Sequence, residues 1–64
     1  MQFHDALKAC LQGAKIQRSD WTPETHLEVI QGRVMQVTGP GENQRGPFWA
    51  SPEDLVAGNW EIAW

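Results

Sequence analysis

The sequence holds a single cysteine, no tyrosine, and only five lysines and arginines among its 64 residues. With one thiol, Cys10, no disulfide can form within the chain, so the staple on which many domains of this size depend is absent. A lone thiol suits a reducing compartment. The scarcity of cations, none of them clustered, and the net charge of −3 argue against a protein that grips DNA or RNA through its phosphates. A small anion met by one or two aimed arginines stays open. No apolar run approaches the length of a membrane span and no basic, apolar leader is present, so a soluble, unprocessed chain with no membrane partner is expected.

Catalytic and metal chemistry are equally thin. His4, Cys10 and His26 fall in no zinc-ligand spacing, so neither a metal nor a cofactor is expected. Cys10 lies on an apolar helix stripe and reads as a packing residue. Glu53 and Asp54 are adjacent on a helical turn, where side chains diverge, and they suit the helix N-terminus better than paired acid–base work. No catalytic residue is assigned, and the chain is not expected to be an enzyme.

What the sequence does have is tryptophan, four in all. A chain this short buries only about 60% of the surface its unfolded form exposes. Each buried indole contributes on the order of 4–6 kcal/mol gross, and four cannot by themselves offset the cost of ordering the chain. Association with further copies is therefore expected.

Hydrophobic spacing supplies the elements. From Gln2 to Leu11, Phe3, Ala6, Leu7, Cys10 and Leu11 share one helical stripe, and Gly13 follows where a left-handed cap is expected. Lys15 to Arg18 reads as a short strand and Asp20 to Glu24 as a turn. In THLEVIQGRVMQVT the odd-numbered Leu27, Val29, Met35 and Val37 are apolar. Placing them on one face requires a three-residue loop, Ile30-Gln31-Gly32, with Gly32 left-handed and Val34 stranded on the polar face. Residues 39–47 read as an ordinary loop, since neither the helix nor the Lys-Ser/Thr pair of a phosphate cradle follows. Phe48-Trp49-Ala50 reads as a strand. Ser51, Pro52 and Asp54 then form a capping-box start to a helical turn ending at Gly58. Trp60, Ile62 and Trp64 share one face of a last strand. The fold expected is a single α+β domain over residues 1–64: an N-terminal helix packed on a small antiparallel sheet, with a short helical turn before the last strand.

Seven residues gather as a candidate ligand set: Phe3, Arg18, Trp21, Trp49, Ser51, Asp54 and Asn59. Aromatic rings stack on a nucleobase, and carboxylates and amides read base edges or ribose hydroxyls. Trp60, in mid-strand on an apolar face, is better read as core. Trp21 and Trp49 flank turns, where a ring is as readily open as buried.

The opening FHDALKACLQG, the Arg18-x-x-Trp21 pair and the run W-x-S-x-x-D-L-x-A-x-N-W from Trp49 to Trp60 together resemble the small phage proteins of the second Thoeris anti-defence family. The likeness covers both ends of the chain, and Asn59 stands where the family usually has an acidic residue. The resemblance implies a homo-oligomer, a tetramer, in the host cytoplasm. It implies a sponge that binds cyclic ADP-ribose isomers, and in some relatives cyclic oligonucleotides, without degrading them. On this reading Trp21 and Trp49 hold the base, Arg18 the pyrophosphate, and Asp54 with Asn59 the sugar or base edges. The rival expectation is a protein–protein inhibitor of a host defence enzyme that uses the same aromatic patch.

Overall fold

A computed structural model describes residues 1–63. Trp64, the ring expected to close the apolar face of the last strand, lies outside the described residues. The order of elements is α1 (Phe3–Leu11), β1 (Lys15–Arg18), β2 (His26–Ile30), β3 (Arg33–Val37), a short 3₁₀ turn (Glu42–Gln44), β4 (Arg45–Pro47), α2 (Pro52–Val56) and β5 (Trp60–Ala63). The five strands make one antiparallel sheet in the order β4-β3-β2-β1-β5, so the last strand inserts beside the first. This is the α+β fold its sequence predicts.

The stripe of α1 buries Ala6 and Cys10 completely against the sheet, while Leu11 at its end is 63% exposed. Gly13 takes φ +105 and closes the helix as expected. Its N–H donates to Cys10 O at 3.0 Å, and that of Ala14 to Ala9 O at 3.0 Å, which satisfies carbonyls the helix end would otherwise leave open. Ile16, Leu27 and Trp60 complete the buried cluster, with Val29, Val34, Trp21, Phe3, Phe48 and Ala57 packed around it.

The hairpin corrects the three-residue loop. Ile30 pairs with Arg33 and Val29 with Val34, which leaves a two-residue loop, Gln31-Gly32, with φ +53 and +78. Two left-handed residues in succession make the primed turn whose twist matches that of the flanking strands. Gly32 is left-handed as expected, but an even loop reverses the parity of β3. Val34 therefore faces the core opposite Val29, and Met35 and Val37 turn to the other side with His26 and Glu28. Sheet-wide packing decided the matter: Val34 meets the core that α1 covers, whereas the expected register would have placed Gln36's neighbours there instead.

The region after the hairpin differs too. The stretch expected to be loop throughout contains β4, and the strand expected at Phe48-Trp49-Ala50 is irregular. β4 is an edge strand, where the missing N–H of Pro47 breaks no ladder bond. Pairing ends where the Phe48 N–H donates to Val34 O at 3.2 Å. The capping box forms as read: Ser51 Oγ accepts from the Asp54 N–H at 3.2 Å, and Asp54 Oδ2 from the Ser51 N–H at 3.1 Å. α2 then ends at Val56, with Ala57 as its extended C-cap, two residues before the expected Gly58.

Candidate aromatic and polar site

Trp60 organises the site. Its residue is 1% exposed, and three half-buried rings surround its indole: Phe3 from α1 at 5.0 Å between centroids, Trp21 at 5.3 Å and Phe48 at 6.3 Å. Trp21 and Phe48 stand edge to face with it, the arrangement that the charge distribution of the rings favours. Trp21 and Phe48 also meet at 6.4 Å, and Phe3 and Phe48 at 6.2 Å, so the panel is continuous from helix to sheet edge.

A polar network adjoins the rings. Arg18 is the residue directly across the ladder from Trp60. Its Nε donates to Asn59 Oδ1 at 3.1 Å, and one terminal nitrogen to Asp54 Oδ1 at 3.0 Å. Asn59 Nδ2 in turn donates to Ser19 Oγ at 3.2 Å and Asp20 Oδ1 at 3.3 Å. Rings and polar groups join at one bond, from the Trp60 indole N–H to the Asp54 carbonyl at 2.9 Å.

Asp54 is thus fixed three ways. Its side chain is 16% exposed and its ion partner Arg18 19%. Burial of the carboxyl works to raise its pKa, but the backbone N–H and side chain of Ser51 and the Arg18 guanidinium outweigh burial and hold it below the ordinary carboxylate value. Cys10 shows the opposite behaviour: burial first, then the negative charge of Glu28, pushes its thiol up, which suits an inert packing group.

Of the seven expected residues, Phe3, Arg18, Trp21, Ser51, Asp54 and Asn59 converge around Trp60. Trp49 does not join the ring cluster; it follows Phe48 and turns its indole outward, 84% exposed. The sequence reading omitted Phe48, Ser19 and Asp20, and assigned Trp60 to the core alone. Phe48 carried a signal, since it adjoins Trp49; Asp20 lies between Arg18 and Trp21 in the very motif singled out. Trp60 at the centre of the panel is buried, and the half-buried Phe3, Trp21 and Phe48 carry its outer surface. The cavities of about 330 and 440 Å³ lie elsewhere, on the sheet face turned away from α1. Among the described residues no group of three or more His, Cys, Asp or Glu side chains is placed to hold a metal ion. No helix among them is long and apolar enough to cross a membrane.

A small α+β domain with its aromatic panel joined to a half-buried Arg–Asp pair matches the family model of the Thoeris anti-defense 2-like domain over residues 1–63. The chain belongs to the Thoeris anti-defense 2-like family. No curated protein and no solved structure matches it.

Proposed function

We propose that the chain opposes Thoeris defence as a stoichiometric sponge: it binds a nucleotide-derived immune signal, a cyclic ADP-ribose isomer, and withholds it without breaking any bond. Cyclic oligonucleotides are a second ligand class for the same chemistry. The observation that carries this reading is the Trp60–Asp54 bond, which fixes a stacking surface and a charged hydrogen-bonding set in one rigid unit. Trp21, with the outward Trp49, holds the base. The guanidinium of Arg18 has five N–H donors, and its bonds to Asn59 and Asp54 use two, which leaves donors for a pyrophosphate. Asp54 and Asn59 face the sugar or base edges.

None of the cavities of about 220–440 Å³ among the described residues is lined by the panel's rings, and ligand sites generally enclose most of the ligand. Another copy of the chain supplies the enclosing wall in this proposal, so the working species is a homo-oligomer, a tetramer built as a dimer of dimers. Titration of the protein with a cyclic ADP-ribose isomer, followed by heat denaturation and chromatography of the released ligand, tests the reading. Saturable binding with intact ligand recovered is expected. Recovery of a hydrolysed product would show an enzyme instead, and absence of binding would sink the proposal.

One observation favours the rival. Trp49, Val56 and Leu55 are 84%, 83% and 53% exposed and cluster in sequence around α2, a patch of the kind that docks on proteins. Capture of a purified host defence enzyme in the absence of nucleotide would move the assignment to a protein–protein inhibitor.

A further inference from the structure

Arg18 meets two carboxylates, and they are held very differently. Asp54 accepts a guanidinium hydrogen bond at 3.0 Å on one oxygen and the Ser51 N–H at 3.1 Å on the other, with most of its side chain covered. This carboxylate is built in. Asp20 Oδ1 lies 3.7 Å from Arg18 Nε, beyond hydrogen-bond reach, and that N–H already goes to Asn59 Oδ1 at 3.1 Å. A bond of 3.3 Å from Asn59 Nδ2 adds to its hold, but the Asp20 side chain is 63% exposed. Exposed ion pairs of this length contribute little, so Asp20 can leave at small cost.

Its place in the chain matters as much as its loose hold. Asp20 stands between Arg18 and Trp21 in the turn closed by the Trp21 N–H on the Arg18 carbonyl at 3.0 Å, so a ligand spanning from the Trp21 ring to the guanidinium meets it. It also occupies an amide N–H of Asn59. Two carboxylates against one guanidinium leave the set negative overall in the free protein, which is the wrong sign for receiving a pyrophosphate. We propose, resting on the reading of Arg18 as the pyrophosphate's residue, that Asp20 is a built-in stand-in for the ligand's anion. The phosphate takes its place beside Arg18 and Asn59 Nδ2, and Asp20 swings into solvent while Asp54 stays.

The consequence is a threshold for occupancy. Displacing Asp20 costs every anion alike, whatever else that anion carries. An inorganic phosphate or pyrophosphate has only the donors of Arg18 and Asn59 to set against this cost, whereas a ligand that also stacks a base on Trp21 binds about tenfold or more tighter for the ring. The carboxylate therefore keeps small free anions out and leaves the site to phosphate ligands that bring a base.

Calorimetry with inorganic pyrophosphate and with a cyclic ADP-ribose isomer, at low and at high salt, tests it on the parent, Asp20→Asn, Asp20→Ala and Glu61→Gln. The last makes the same change of charge at an exposed position on the opposite face of the sheet. Asp20→Asn is expected to tighten both ligands about tenfold at low salt and less at high salt, because it removes an exposed charge beside the anion. Asp20→Ala should gain at least as much, and Glu61→Gln should stay within about twofold of the parent. Asp20→Asn keeps the acceptor for Asn59 and decides the matter if Asp20→Ala fails to fold. An Asp20→Asn protein that binds neither ligand more tightly than Glu61→Gln does would overturn the proposal, and one that binds more weakly than the parent would make Asp20 a ligand contact instead. A parent that ignores the isomer while Asp20→Asn gains pyrophosphate would sink the sponge reading and leave the stand-in intact; a parent that binds the isomer without that gain would do the reverse.

Discussion

The indole N–H of Trp60 donates to the main-chain carbonyl of Asp54 across 2.9 Å, and through it the core of the sheet holds the short helix α2 in place. Trp60→Phe keeps most of the ring area and removes the donor. It should destabilise the fold by about 1–3 kcal/mol, and Trp60→Ala by about 3–5 kcal/mol. For a domain whose whole stability is about 5–15 kcal/mol, the second change approaches unfolding. Denaturant melts of the two variants would check the difference.

The carboxyl of Asp54 titrates below its unfolded value, and the sign of the pH effect follows. A depressed pKa means that the unfolded chain takes up the proton first as pH falls. The stabilisation from Asp54 is therefore complete above its unfolded value of about 3.9 and is lost as pH drops through the lower folded value. At neutral pH Asp54→Asn should cost about 1–2 kcal/mol, and the gap to the parent should close in acid. Urea melts from neutral pH down through the carboxylate range measure it; a gap that widens in acid would contradict the assignment.

The turn offers a cleaner test of local structure. A Cβ on Gly32 would meet nothing within 4 Å, so the cost of Gly32→Ala is backbone strain alone, about 1 kcal/mol. Gln31, also left-handed at φ +53, is the weaker half of the turn. Gln31→Asn installs the preferred pair and should stabilise the hairpin by a few tenths of a kcal/mol. Paired thermal melts would show the two shifts in opposite directions.

Two tryptophans should separate binding from folding. Trp49 is 84% exposed and packs on none of the core rings, so Trp49→Ala should leave the melt unchanged and weaken a stacked base by about 1–3 kcal/mol. Trp21 touches both Trp60 and Phe48, and Trp21→Ala should lower stability as well as affinity. Calorimetry with a cyclic ADP-ribose isomer, beside melts of the free proteins, distinguishes them. Equal affinity of parent and Trp49→Ala would remove Trp49 from the site.

Cys10 should behave as its burial dictates. With its thiol raised in pKa and no exposed surface, it should resist alkylation in the folded protein and react at the rate of a free thiol once urea unfolds the chain. Mass spectrometry after a timed exposure to iodoacetamide reads both states.

How much of this lay in the sequence varies from element to element. Helix α1 and its Gly13 cap were legible because helical spacing and a left-handed glycine are local signals, and so was the capping box at Ser51 and Asp54. The hairpin register was not, because Val34 and Met35 are adjacent apolar residues and either can face inward; only the packing of Val34 against the buried cluster built by the whole fold selects it. Gln31-Gly32 also lacks the Asn-Gly pair that announces a two-residue loop. Around the site, the W-x-S-x-x-D spacing marked Ser51 and Asp54, and with them Trp49, which stays outside the ring cluster. The link between Trp60 and Asp54 was hidden, since it depends on where a strand end meets a helical turn, and periodicity carries no information about that.

The place of β5 beside β1 also sets the order in which the site can come into being. Lys15 pairs with Ala63 and Arg18 with Trp60, contacts that close loops spanning most of the chain. During synthesis α1 and the first hairpin are made long before Trp60 exists, so the early chain holds Phe3, Arg18 and Trp21 around an unfilled centre with the outer edge of β1 unpaired. The last strand fills the centre, pairs the edge and brings Asn59 to Arg18 in a single event. A ribosome-bound fragment ending before β5 would therefore lack Trp60 and Asn59, and the rings and the polar network can join only once β5 has been made.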